Sequence, residues 1–293
     1  MRDQSDFTQH AARITLQVRP REIPKTPKGK PPMMYTDVFA SVINDLDVRG
    51  DLRYFPADTF PTIHPIHWLT SHFAVGGWSP LQRLSGMLTA HMTQIAPRNG
   101  FTWHPHRGLE IYTYVIDGEL YHEDTTGGRG VIRAGEVQRM FSGAYIQHQE
   151  LNRTDEYARV IQIWFVAEPQ FMALEPHYEQ IRLADMSPRT VGDGVVRDII
   201  GPQGATDSHV AARLTSTLLP AGGEAAVELP QQGEELFLYF VNGHGRFLTA
   251  HDEQPIGLYD VALAKPQAET AVIQAGNRPL NYLSFYLKPF MDA

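Results

Sequence analysis

Two histidines stand two residues apart in the stretch WHPHRGLE (103–110) of a chain that contains no cysteine. On a β-strand, side chains at positions i and i+2 point to the same face, whereas on a helix they diverge. His104 and His106 would therefore form a chelating pair if this stretch is a strand. Pro105 lacks an N–H group, which favours the edge or the end of a strand.

A second pair with the same spacing occurs in IQHQELN (146–152), where His148 and Glu150 are two residues apart. Together the two pairs offer three imidazoles and one carboxylate. This set suits a divalent transition metal such as Fe, Mn, Co, Ni, Cu or Zn and is too rich in nitrogen for calcium or magnesium. Four protein ligands on a six-coordinate ion leave two open positions, which catalysis needs. The sequence therefore predicts a metal site made of His104, His106, His148 and Glu150.

Short apolar runs closed by turn residues must position these pairs. Examples are GLEIYTYVIDG, ARVIQIWFVAEP and ELFLYFVNG, which are rich in Ile, Val, Tyr and Phe and end in hairpin-turn or loop residues. Helical periodicity is scarce, and only residues 37–46 and 169–181 are predicted to form short helices. The pattern favours an all-β protein built as a sandwich or a barrel.

The chain contains a weak internal repeat. EIYTYVIDG (110–118) resembles ELFLYFVNG (235–243). One constant offset aligns Glu110 with Glu235, Tyr114 with Tyr239 and Gly118 with Gly243. At the same offset, the two histidines of the first pair fall on Leu229 and Gln231. A repeat of this length indicates two related domains. The second domain is predicted to lack the metal ligands, with a boundary in the loop-like stretch 180–205.

Composition excludes several classes of function. The chain has 293 residues, of which 42% are hydrophobic and 20% charged, and its formal net charge is −8. An acidic chain is a poor candidate for nucleic-acid binding, which depends on neutralising phosphates. No apolar run reaches the length of a membrane span, and the proline- and lysine-rich segment 20–32 is predicted to be an extended arm. These features favour a cytoplasmic protein without disulfides.

Taken together, the motifs resemble those of the pirin family in the cupin superfamily. They are G-x-x-x-H-P-H-R-G-x-E-x-x-T-Y (100–114), H-E-D (122–124), A-G-E (134–136) and M-x-S-G-x-x-x-x-H-x-E (140–150). The resemblance is close from about residue 60 to residue 181 and thin in the C-terminal third.

This resemblance implies a bicupin, with two double-stranded β-helix (jelly-roll) barrels in one chain. Residues 1–190, including the arm, would form the barrel with the metal, and residues 191–293 the barrel without it. The family's ligands fall on the four residues already identified, and Fe(II) is the expected ion, with Zn, Mn, Ni, Co or Cu as alternatives. Glu110 matches the glutamate of the cupin motif, which is not a ligand in pirins.

Other residues near the pairs have secondary roles in this interpretation. Glu110 would support a ligand histidine or accept a proton, and on a continuous strand with His106 it would face the barrel interior. His122 and Asp124 are predicted to be a structural hydrogen-bonded pair. The residues predicted to line the pocket are Met140, Phe141 and Tyr145. Tyr145 stands where the family usually has a basic residue, and it would narrow the pocket mouth.

Two functions follow from the resemblance. The first is an oxygenase resembling quercetin 2,3-dioxygenase, which acts on a flavonol or related aromatic enol with dioxygen, with Glu150 accepting the hydroxyl proton. The second is a non-catalytic, redox-responsive metal protein that regulates a protein partner. The enzyme is favoured, and homodimer formation stays open.

Overall fold

The computed structural model describes residues 50–290, and the predicted arm at 20–32 lies outside that range. Within it the chain forms twenty-two β-strands and two single-turn 3-10 helices, Ala57–Thr59 and Pro169–Phe171, which confirms the all-β prediction. The strands are β1 (Leu52–Phe55), β2 (Thr62–Ile66), β3 (Leu69–Val75), β4 (Met87–Ile95), β5 (Gly100–His106), β6 (Leu109–Asp117), β7 (Glu119–Asp124), β8 (Arg129–Arg133), β9 (Val137–Phe141), β10 (Ile146–Leu151), β11 (Ala158–Val166), β12 (His177–Ile181), β13 (Pro188–Val191), β14 (Gly194–Ile200), β15 (Ala212–Leu219), β16 (Glu224–Ala226), β17 (Glu235–Asn242), β18 (Gly245–Leu248), β19 (Glu253–Ile256), β20 (Val261–Ala264), β21 (Val272–Ala275) and β22 (Leu280–Leu287).

The strands form two barrels, each made of one seven-stranded and one four-stranded sheet. In the first barrel the strand orders are β12-β9-β6-β11-β4-β3-β2 and β5-β10-β7-β8. In the second they are β1-β20-β17-β22-β15-β14-β13 and β16-β21-β18-β19. The repeated large-and-small pairing of antiparallel sheets is the two-barrel cupin fold that was expected.

One strand that precedes the first barrel in the sequence belongs to the second barrel. β1, which precedes the whole first barrel in the chain, pairs with β20 in the second barrel, with Leu52 opposite Ala264. At the other end, β12 pairs with β9 of the first barrel and β13 pairs with β14 of the second. The chain therefore changes barrel between residues 181 and 188, and residues 52–55 belong to the sheet of the second barrel.

The two seven-stranded sheets share one apolar core. It contains Tyr112, Ile161 and Phe165 from the first barrel together with Phe237 and Phe285 from the second, all of them buried. The interior of the second barrel is a single apolar cluster. The interior of the first barrel holds two smaller apolar clusters that are separate from each other.

Strand alternation puts different residues of β6 on the two faces of its sheet. Tyr112 and Tyr114 belong to the core shared by the two barrels. Ile111 and Val115 belong to the two interior clusters of the first barrel, and Thr113 lies between them. A single strand therefore serves the contact between barrels and the barrel interior at once.

Helical structure is limited to single turns in the described residues. The helix predicted for 37–46 lies outside them. The helix predicted for 169–181 was wrong, because it ends after Phe171 and residues 177–181 pair with β9 instead. Pro176 has no N–H group to donate within a helix, so a helix could not have continued through it into residues 177–181. Neither described helix is long and apolar enough to cross a membrane.

The shared core predicts that the two barrels unfold together. Phe237→Ala removes a fully buried ring from that core and should lower the free energy of unfolding by about 3–5 kcal/mol. Denaturant titrations followed by far-UV and near-UV circular dichroism should show one transition that shifts as a whole. Two separate transitions, of which only the one from the second barrel shifts, would contradict this expectation.

Candidate metal centre

The three predicted histidine ligands lie on neighbouring strands of the four-stranded sheet in the first barrel. β10 runs antiparallel to β5, and its register sets His148 opposite His104 and Ile146 opposite His106. Alternation turns all three rings to the same face, where one ring nitrogen from each lies within 4.8 Å of the others. The ring centroids of His104 and His148 are 4.3 Å apart. The two separate sequence pairs thus converge through strand pairing.

The hydrogen bonds of the three rings leave nitrogen lone pairs free for an ion. The Nδ1 atom of His104 donates to the Thr102 carbonyl at 2.7 Å, which leaves Nε2 as the bare nitrogen. The Nε2 atom of His106 and both ring nitrogens of His148 are buried without a hydrogen-bond partner in the described structure. Buried polar atoms of this kind are costly unless something pairs with them. A cation on these nitrogens would satisfy them, so the donor set fits a divalent metal.

Burial keeps two of the rings uncharged. It lowers the pKa of His106 to about 3, and the neighbouring His104 acts in the same direction. Burial also holds the pKa of His148 well below its ordinary value, assisted by the surrounding histidines. The two rings are therefore neutral near pH 7. Neutral imidazole is the form that binds a metal.

Glu150 is buried beside His148 and is held by three donors. Its Oε1 atom accepts hydrogen bonds from the Gln138 side chain and from the Thr113 hydroxyl, the latter at 3.2 Å. Its Oε2 atom accepts one from the Gln162 amide at 3.0 Å. A carboxylate offers about four lone-pair positions, so one position on Oε2 remains for an ion or a proton.

Glu150 belongs to a second cluster that overlaps the first. Its carboxylate lies within 4.8 Å of ring nitrogens of His148 and His122, and all three residues are buried. The expected hydrogen bond joins His122 Nε2 to Asp124 Oδ2 at 2.9 Å. His148 is therefore common to two groups of three candidate ligands. His122 has the same two-residue spacing from Asp124 that identified the other pairs.

Apolar side chains surround the histidine cluster. Ile111, Met140 and Ile146 form an interior cluster, against which Trp164 packs. The Trp164 ring meets the His106 ring edge-on at 5.1 Å. The placement of Met140 in this wall agrees with its predicted role.

Glu110 and Phe141 lie on the opposite face of the large sheet, which corrects their predicted placement. The break at Arg107-Gly108, where Gly108 has a φ of +62°, ends β5 and starts β6 in a different sheet. The alternation that would have turned Glu110 inward therefore does not continue from His106. The Phe141 ring packs against His209 at 4.2 Å, away from the histidine cluster.

Glu110 is instead the centre of a buried polar network between the barrels. It accepts hydrogen bonds from Arg139 Nε at 2.6 Å, from the Tyr112 hydroxyl at 2.8 Å and from the backbone N–H of His209 at 2.7 Å. Burial acts to lower the pKa of Arg139, but Glu110, together with Tyr112 and Glu179, outweighs burial and the pKa is raised. This carboxylate fastens the loop before β15 to the first barrel.

Tyr145 lies at the surface beside the site. Its side chain is 40% exposed, and the Arg107 guanidinium lies over its ring at 4.9 Å from the centroid. The Gln147 amide donates a hydrogen bond to its hydroxyl. Tyr145, which directly precedes β10, and Gln147 alternate with the inward-facing Ile146 and His148, so both point away from the barrel interior.

The chain is similar to proteins of one family. The pirin family profile, whose description is "Pirin", matches residues 78–165, which include the three histidines and Glu150. A pirin-like protein of Solanum lycopersicum is 30% identical over 213 residues, which cover 71% of this chain and 72% of that protein. A pirin-like protein of Arabidopsis thaliana is 35% identical over 158 residues, half of each chain.

One further sequence relative and one solved structure are also similar to this chain. A protein of Pasteurella multocida named "Putative quercetin 2,3-dioxygenase PM1685" is 34% identical over 134 residues, and the match covers 44% of this chain and 57% of that protein. The bacterial pirin YhhW of Escherichia coli, whose structure was solved with nickel(II), superimposes with a TM-score of 0.67 at 23% identity. That superposition covers 81% of this chain and 99% of YhhW.

Removing one histidine should weaken metal binding. His106→Asn takes away one of three clustered nitrogens and should reduce nickel(II) affinity by more than ~10-fold, since even indirect ligand support is worth ~10- to 100-fold. Calorimetric titration with nickel(II) measures the change. His64→Asn, on β2 away from the cluster, is the control and should bind nickel(II) like the parent protein. Equal affinities for the two variants would disprove the site.

Glu110→Gln should affect stability and leave metal binding unchanged. The substitution leaves the Arg139 charge buried without its carboxylate and should cost roughly 3 kcal/mol of unfolding free energy. Glu119→Gln is the control. It removes a more exposed ion pair, in which Glu119 Oε2 lies 3.9 Å from Arg133 Nε, and should cost less than about 1 kcal/mol of unfolding free energy. Urea titrations and nickel(II) titrations of both variants test this. Loss of nickel(II) binding in Glu110→Gln would show that Glu110 acts on the metal site.

Proposed function

Because the chain belongs to the pirin family, we propose that it is a metal-dependent oxygenase that acts on a flavonol or a related aromatic enol, with dioxygen as its second substrate. The observation that carries the proposal is the cluster of His104, His106 and His148 beside Glu150, whose carboxylate keeps one free acceptor position. The relative named "Putative quercetin 2,3-dioxygenase PM1685" supports the same reaction class. We propose that the protein carries out this reaction in the cytoplasm.

The three histidines and Glu150 would hold one divalent ion, for which we propose Fe(II). Such an ion supplies Lewis acidity toward a substrate oxygen and exchanges electrons with dioxygen. The chain contributes neutral nitrogen ligands, because burial lowers the pKa of His106 and of His148. Zn, Mn, Ni, Co and Cu fit the same donor set.

Glu150 is proposed to take the proton of the enol hydroxyl. Both positions on its Oε1 atom are filled by Gln138 and Thr113, whereas Oε2 receives only the Gln162 amide. The free position on Oε2 takes either the ion or a proton. Glu150 can therefore accept the proton while its Oε2 atom is not bound to the ion, and the O–H electron pair stays on the substrate oxygen. Gln138 and Gln162 come from two separate strands of the large sheet and fix the carboxylate from its two sides.

The walls of the barrel interior would hold flat aromatic rings. Ile111, Met140 and Ile146 present apolar surface beside His106, and the indole of Trp164 lies edge-on to the His106 ring. On the other side, the Phe101 ring lies 6.4 Å from the ring of His104. Apolar walls with a few polar groups are typical of small-molecule sites and exclude water from the reacting atoms.

Glu150→Gln separates metal binding from proton transfer. The amide oxygen still coordinates weakly but cannot accept a proton, so most metal should be retained while oxygen consumption with quercetin falls by at least ~100-fold. Metal content by elemental analysis and oxygen uptake with an oxygen electrode, after identical Fe(II) loading, measure the two effects.

Glu123→Gln is the matched control. Glu123 lies on the outer face of the same four-stranded sheet, where it bonds to Gln149 and Tyr121, and its substitution should leave oxygen uptake unchanged. Normal turnover in Glu150→Gln would show that a group other than Glu150 accepts the proton. A metal-loaded parent protein that consumes no oxygen with any flavonol or catechol would contradict the oxygenase and favour the regulatory function.

A further inference from the structure

Two neighbours, Tyr178 and Asp124, hold the His122 ring in one orientation. His122 is fully buried on β7, and its ring stacks on Tyr178 with centroids 4.1 Å apart and an interplanar angle of 4°. Its Nε2 atom faces Asp124 Oδ2 at 2.9 Å. The ring is therefore held on its face by the tyrosine and at one edge by the aspartate.

Asp124 is itself immobilised by the turn after β7. Its second oxygen, Oδ1, accepts the backbone N–H groups of Thr126 at 2.7 Å and Gly128 at 3.1 Å. It also accepts the Thr126 hydroxyl at 2.6 Å. Only Oδ2 is left to face the histidine.

The contact with Asp124 determines the tautomer of His122. An aspartate carboxylate only accepts hydrogen bonds, so the His122 nitrogen that faces it must carry the hydrogen. The lone pair then resides on Nδ1. This atom is buried and has no hydrogen-bond partner in the described structure.

The surroundings of His122 are those of a metal ligand. One ring nitrogen of His122 lies within 4.8 Å of a His148 nitrogen and a Glu150 oxygen. The pairing of β7 with β10 produces this arrangement, since it sets His122 opposite Glu150 and Asp124 opposite His148. A histidine whose other nitrogen donates to a carboxylate is the usual arrangement around a protein-bound metal.

We propose that His122 is a fifth protein ligand of the metal centre, and that its Nδ1 atom forms with His148 and Glu150 an inner position for a divalent transition-metal ion. The outer position is the cluster of His104, His106 and His148. The proposal concerns metal binding alone and does not depend on the oxygenase activity.

The two positions share His148 and therefore serve a single ion. A neutral imidazole has one lone pair, so His148 binds an ion in one position at a time. The outer position offers three imidazole nitrogens, and the inner one offers two imidazole nitrogens and the Glu150 carboxylate. The ion can exchange His104 and His106 for His122 and Glu150 while it stays bound to His148. The protein therefore binds one ion per chain in either position.

Cobalt(II) binding in a background without the outer position tests the proposal. His104→Ala removes one outer ligand and should still bind one cobalt(II) per chain through the inner three residues. Adding Asp124→Asn should weaken that binding by a further ~10- to 100-fold. The asparagine can keep its oxygen on Thr126 and Gly128, so its NH₂ group donates to His122 and moves the ring hydrogen to Nδ1. In the parent background, Asp124→Asn should change the affinity by less than ~10-fold.

Two further variants guard against misfolding and indirect effects. His122→Phe keeps the stacked ring but removes both nitrogens. In the His104→Ala background it should weaken cobalt(II) binding about as much as Asp124→Asn does. Tyr178→Phe keeps the stacking on His122 and should leave cobalt(II) affinity unchanged. Calorimetry gives the affinities, and the visible d–d spectrum of cobalt(II) reports the change of ligands. If neither Asp124→Asn nor His122→Phe alters the affinity or the spectrum of the His104→Ala protein, His122 is not a ligand and the proposal is overturned.

Discussion

The candidate site depends on the pairing of β5 with β10. This register sets His148 opposite His104 and turns three imidazoles toward one interior point. The rings of His106 and His148 are withdrawn from water, which holds their pKa low and leaves ring nitrogens without protein partners. A shift of one residue in this register would send the second pair to the outer face of the sheet. The chemistry of the site therefore follows from a single strand ladder.

The large sheet fixes the carboxylate from the other side of the barrel. Thr113, Gln138 and Gln162 come from β6, β9 and β11, and each donates to Glu150. Alternate residues of the same strands face the second barrel, where Arg139 binds Glu110. Packing between the barrels and orientation of Glu150 thus use opposite faces of the same strands. This dual use explains how a second barrel filled by one apolar cluster can support the site in the first.

Local spacing predicted the parts of the site that depend on strand alternation alone. The H-x-H and H-x-E pairs indicated which side chains share a face, and His104, His106 and His148 do converge. Glu110 was misplaced because its predicted direction assumed one continuous strand, whereas the chain changes sheets at Gly108. The donors to Glu150 lie on three strands far apart in sequence, and no local pattern links them. Strand neighbours such as β7 and β10 are set by the tertiary fold, which is why the place of His122 beside Glu150 was not predicted.

We propose that this barrel uses a bound metal to transfer oxygen from dioxygen to an aromatic enol. The most direct measurement is mass spectrometry of the products formed from quercetin under ¹⁸O₂ by the Fe(II)-loaded protein, with metal content determined on the same sample. A dioxygenase predicts one ion per chain and two ¹⁸O atoms in the products for each flavonol consumed. Products without ¹⁸O, or equal turnover after the metal has been removed by a chelator, would show that the protein is not a metal-dependent dioxygenase.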